Sequence, residues 1–107
     1  MATDQDMQDK IDAAVFRRLL KHLQDRTDVQ NIDLMGYGGF CRNCFYKWYA
    51  EEAAELGVDV SKEEAQQRVY GMSYDEYKEQ YQTPATEEQM RRMEISVAKN
   101  KVAKANG

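Results

Sequence analysis

One stretch, Gly36 to Tyr49 (GYGGFCRNCFYKWY), constrains the fold more than any other part of the chain. It holds three of the six glycines, both cysteines, the only tryptophan and five further aromatic residues. A flexible glycine segment therefore runs straight into an aromatic helix. Gly36 is the expected stop for the element before it. The spacing predicts a helix that starts near Gly39 or Phe40, runs to Leu56 and ends at Gly57. Cys41, Cys44, Phe45 and Trp48 recur at i, i+3, i+4, i+7 and share one face, read as the core face, with Trp48 mostly buried. Arg42, Asn43, Lys47, Glu51 and Glu55 fall mainly on the wetter side. Ala50, Ala53 and Ala54 are small enough to let a neighbouring helix approach.

The rest of the chain reads as helix around this one. Met7, Ile11, Val15, Leu19, His22 and Leu23 recur at three- and four-residue spacing, widened by Phe16 and Leu20. This predicts an amphipathic helix over about 6–26 with a single buried stripe, capped by Asp4 or Asp6. Thr27 or Asp28 is the expected cap of a short helix carrying Val29, Ile32 and Met35. Ser61 to Glu64, Ser73 to Glu76 and Thr86 to Gln89 have the reciprocal capping-box pattern and open three more helices. The first carries Ala65, Val69 and Tyr70, the second Tyr74, Tyr77 and Tyr81, and the third Met90, Met93 and Val97. The tail beyond Lys99 is polar and predicted to fray. No strand pair is evident. The expected fold is all-α, a compact multihelical single domain of five or six helices over residues 1–107.

Size and charge narrow the function. A chain of 107 residues buries a modest core, so burial against a second copy would help it, and a homodimer is expected. The net charge of −4 gives no basic footprint for nucleic acid. No apolar run approaches a membrane span, and the polar N-terminus carries no export signal. A reducing, cytoplasmic setting is the expectation, in which two cysteines three apart read as thiols or metal ligands.

The segment Arg26 to Met35 (RTDVQNIDLM), with Gly39 to Cys44 (GFCRNC), Trp48-Tyr49 and Tyr70 to Met72, resembles a small bacterial family of about this length, catalogued as a domain of unknown function. The resemblance runs from about Phe16 to Gln89. It implies a compact multihelical fold, dimeric, in a bacterial cytoplasm. It implies no activity.

Three readings of the site follow from the residues. In the first, Cys41 and Cys44 are small buried hydrophobes, and the protein is a non-enzymatic helical module that self-associates and acts by protein interaction. In the second, the two thiols supply half of a tetrahedral zinc shell, completed by His22, by Asp28 or Asp33, or by a second subunit. In the third, the Cys-x-x-Cys pair in a helix's first turn, with Arg42 and Lys47 near, favours thiolate and forms a redox pair or sensor. Phe45 follows the second cysteine where a helical peroxidase would have histidine. The glycines at 36, 38 and 39 fit a tight helix–helix turn better than a phosphate cradle, since no strand precedes them. Tyr70, Tyr74, Tyr77 and Tyr81 read as a packed face rather than a base-stacking platform. Glu51-Glu52 and Glu63-Glu64 read as solvated surface, with no nucleophile–base constellation beside them.

Overall fold

A computed structural model describes residues 3–106. Among the described residues there are six helices and no strand: α1 (Asp4–Asp25), α2 (Asn31–Gly38), α3 (Arg42–Glu55), α4 (Lys62–Tyr70), α5 (Tyr74–Tyr81) and α6 (Glu87–Asn106). The expected all-α architecture is the observed one.

Each helix start has a local cause. Thr3, not Asp4 or Asp6, caps α1. Its Oγ1 accepts from the Asp6 backbone N–H at 3.0 Å, and the Asp6 carboxylate accepts from the Thr3 N–H at 3.2 Å. Ser61 and Ser73 each accept one backbone N–H, from Glu64 at 3.1 Å and Glu76 at 3.2 Å. Before α6 the exchange is reciprocal: Gln89 N–H to Thr86 Oγ1 at 3.1 Å, and Thr86 N–H to Gln89 Oε1 at 2.9 Å. Neither Thr27 nor Asp28 caps α2; Gln30 stands at that position without a side-chain capping bond, its amide instead donating to the Tyr81 carbonyl and accepting from the Thr83 N–H. Asp28 instead accepts both bonds of an Arg26 fork, at 2.9 Å each, which holds its carboxyl below the usual carboxylate range.

The core gathers on α4. Ala65, Val69 and Tyr70 meet Leu20 of α1, Tyr46 of α3 and Tyr77 of α5, with Phe16, Phe45, Tyr49, Ala50 and Val60 packed around them. The tyrosine rings at 70, 74, 77 and 81 form a chain of neighbours with centroids 4.5 to 5.2 Å apart. This is the packed face that the spacing predicts. α2 and α6 make a second unit against each other.

Gly36 does not end α2. It lies buried inside the helix, where an added Cβ would sit 2.9 Å from Arg92 Cγ of α6. Its missing side chain brings the two helices together, and the left-handed stop falls three residues later, at Gly39 (φ 75°). Asn100 of α6 donates to the Gly39 carbonyl at 2.7 Å, so helix continues past Lys99 and closes onto the glycine turn.

α1 departs most from expectation. The residues it buries are Leu20 and Leu23, with Phe16 half-buried. The stripe Met7, Ile11, Val15 and Leu19 is 49, 53, 60 and 38 % exposed. Two apolar faces are present rather than one, and only the one through Phe16, Leu20 and Leu23 reaches the core.

Candidate functional site

The cysteine-bearing segment is positioned by Gly39, which turns the chain so that Cys41 is the N-cap of α3 and Cys44 lies in its first turn. Cys41 is buried and Cys44 half-buried, and both are free thiols. Burial pushes the Cys41 thiol above the usual range. The backbone N–H groups of Cys44 and Asn43 pull the other way and do not outweigh it, and Cys44 itself adds to the rise. Cys41 is thus held as a neutral thiol, against the expectation that a helix start beside Arg42 favours thiolate. His22 is exposed on the surface of α1 and does not belong to a buried stripe. No group of three or more His, Cys, Asp or Glu side chains placed to hold a metal ion forms among the described residues.

Arg42, assigned to the wetter side from spacing, is among the most deeply buried side chains, at 1 % exposure. Its Nη1 donates to the Val29 carbonyl at 2.8 Å and to Asn31 Oδ1 at 3.0 Å. Its Nη2 donates to the carbonyls of Leu23 at 3.0 Å and Arg26 at 2.9 Å. Nε has no partner among the described residues. None of these acceptors is a carboxylate. Leu23 belongs to the last turn of α1 and Arg26 is its C-cap, where a helix leaves carbonyls unpaired and its dipole is negative. The end of α1 is the counter-charge. The Tyr77 ring, 5.4 Å from the guanidinium carbon, adds a π face.

Two asparagines extend the network. Asn31 Nδ2 donates to the Tyr70 hydroxyl at 3.0 Å, and that hydroxyl donates to Asn43 Oδ1 at 2.6 Å. Asn43 Nδ2 donates onward to the Tyr74 hydroxyl at 3.2 Å. Burial raises the Tyr70 hydroxyl well above the usual phenol range, offset in part by Asn31, and Tyr77 is raised for the same reason. Asn31, Asn43 and the Tyr70 and Tyr74 hydroxyls serve one another as donors and acceptors. They carry no general base and no activated nucleophile. The Val-Gln-Asn and Cys-Arg-Asn-Cys elements of the sequence are therefore two halves of one staple joining α1, α2, α3 and α4.

Sequence reasoning missed Arg42. One signal was available: the positions one turn away, Gly38, Gly39, Phe45 and Tyr46, offer no acid to pair with it on an otherwise aromatic segment.

Beside the core, α3 borders an apolar surface. Trp48 is 48 % exposed, against the expected burial, because Tyr46, Tyr49 and Ala50 supply the core face instead. Trp48 stacks on Phe40 and meets Phe45 edge-on. With Phe16, Tyr49, Leu56, Val58 and Val60 it lines an open groove of about 470 Å³ with Glu52 at its rim. Phe16 connects this groove to α1, whose uncovered stripe lies on the same helix.

With this geometry in place, the comparison with protein families is decisive. The family described as Protein of unknown function (DUF1244) matches residues 29–95, more than half of the 107. The chain belongs to this family. The DUF1244 segment starts at Val29 rather than near Phe16, and it contains the Asn31–Arg42–Asn43–Tyr70 network together with α2 to α5 and the first half of α6. α1, with its exposed stripe, lies outside it. No curated protein matches the chain. No helix of the described residues is long and apolar enough to cross a membrane.

Proposed function

We propose that the protein acts by protein interaction, and that its first partner is a second copy of itself. The observation that supports this reading is the uncovered apolar face of α1. Four large side chains, Met7, Ile11, Val15 and Leu19, stand in line on a helix whose other face already serves the core. Contiguous exposed apolar surface of this kind marks association sites.

The size of the surface points the same way. The chain exposes 7968 Å², where a compact monomer of 12.5 kDa exposes about 6,200 Å². Its radius of gyration is 15.9 Å, against about 13 Å for a compact chain of this length. The excess of about 1,800 Å² exceeds the roughly 800 Å² that each partner buries in a standard interface. We also assign the protein to a bacterial cytoplasm, consistent with the family resemblance and with thiols that a reducing compartment maintains.

Light scattering coupled to size exclusion tests the reading. The expected mass at high concentration is twice the 12.5 kDa of one chain. A mass of one chain at every concentration would overturn it.

A further inference from the structure

We infer that two copies pair through α1 in antiparallel orientation, with the stripe Met7, Ile11, Val15, Leu19 as the seam. The inference rests on the self-association reading and adds the surface and its polarity.

The seam has its midpoint at residue 13. In an antiparallel pair Met7 then faces Leu19 of the partner subunit, and Ile11 faces Val15 of the partner subunit. Every large residue of the stripe meets another, as an isologous two-fold contact requires.

Charge selects the polarity. Residues 4–12 of α1 carry Asp4, Asp6, Asp9 and Asp12 with one cation, Lys10; residues 17–25 carry Arg17, Arg18 and Lys21 with one acid, Asp25. An antiparallel pair sets the acidic half of each helix against the basic half of the other. A parallel pair sets like against like.

Most of these charges already have partners within the chain. Asp6 closes the cap with Thr3, Asp9 accepts from Gln5, Asp12 from Gln8, and Lys21 pairs with Asp25 at 2.6 Å. Among the described residues, Asp4, Lys10, Arg17 and Arg18 have none, and of these four only Asp4 and Arg18 fall beside the seam by helical spacing. Asp4 and His22 are 18 residues apart, five full turns, so both lie on the seam's face. Across the two-fold axis Asp4 meets His22 of the partner subunit, and Arg18 of the partner subunit is displaced by about 6 Å along the axis, within reach of its long side chain.

Two experiments test this, with circular dichroism as a check that each variant is helical. In the first, the dimer dissociation constant is measured for wild type, Asp4→Arg, Arg18→Asp and the double swap. Each single reversal weakens the dimer by about tenfold, since symmetry doubles every repulsive contact, and the swap recovers most of it. In the second, Met7→Cys is oxidised alone and mixed with Leu19→Cys, and the linked peptides are identified by mass. The mixture yields the 7–19 disulfide. Met7→Cys alone does not link at position 7, its twin lying about 18 Å away along the axis.

A wild-type monomer overturns both the self-association reading and this inference. A wild-type dimer indifferent to the charge variants overturns the inference alone and moves the interface elsewhere. A 7–7 disulfide formed as readily as the 7–19 one overturns the antiparallel polarity.

Discussion

Asn31 Oδ1 accepts from both ends of Arg42: from Nη1 at 3.0 Å and from the backbone N–H at 3.4 Å. One amide oxygen thus fixes the guanidinium and the start of α3 together. The same guanidinium holds the end of α1, so the connection from one helix to another runs through a single side chain. Such a cation needs no acid, because helix-terminal carbonyls supply the negative field.

Arg42→Ala is expected to destabilise the fold by about 3–5 kcal/mol, since four acceptors, buried or partly buried, lose a charged donor at once. Arg42→Lys keeps the charge but loses the fork, and should still cost about 2 kcal/mol or more. Urea denaturation checks both. A lysine variant as stable as wild type would mean that charge alone matters there.

Tyr46 and Trp48 should separate cleanly although they are two residues apart. Tyr46→Ala removes a buried ring and is expected to cost about 3–5 kcal/mol. Trp48→Ala removes a half-exposed one and should cost under about 2 kcal/mol. Denaturant midpoints decide it, and equal losses would place Trp48 in the core after all.

Gly36→Ala should lower stability by about 1–3 kcal/mol through overpacking, because the new methyl meets Arg92 Cγ, with Arg92 Cβ and the Met93 backbone close behind it. Hydrogen exchange should show the loss first in α2 and α6. Uniform loss across all helices would contradict the separate pairing of these two.

Stability should fall with alkali in two stages. Cys41, Tyr70 and Tyr77 all have folded-state pKa values raised by burial. Their contribution is complete below the unfolded values and declines as pH rises past them, because the unfolded chain then releases protons that the folded chain retains. Cys41 begins the decline near the ordinary thiol value of about 8.5, and the tyrosines continue it above about 10. The slope is at most about 1.4 kcal/mol per pH unit for each group. Denaturation measured between these pH values should show Cys41→Ala flattening the first stage only.

Native-state alkylation should mark Cys44 before Cys41, since Cys41 is the N-cap thiol that burial keeps neutral and covered. Mass spectrometry after brief treatment resolves the two. Faster reaction at Cys41 would revive the activated-thiol reading of the pair.

How much of this was legible in the chain depends on the range of the interaction. Helix class, the Ser61 and Ser73 caps, the Thr86–Gln89 box and the core tyrosines of α4 and α5 follow from residues within a turn or two of each other, and spacing alone determines them. The function of Arg42 does not, because its acceptors lie 11 to 19 positions earlier in the chain. Gly36 reads locally as a stop, and only the approach of Arg92 makes it a contact point. On α1 the periodicity found apolar residues but not which of two faces was spoken for. A helix pattern reports which residues avoid water. It cannot report how many neighbours are present to cover them, and here tertiary packing covers the face through Phe16, Leu20 and Leu23 and leaves the one through Met7, Ile11, Val15 and Leu19 exposed.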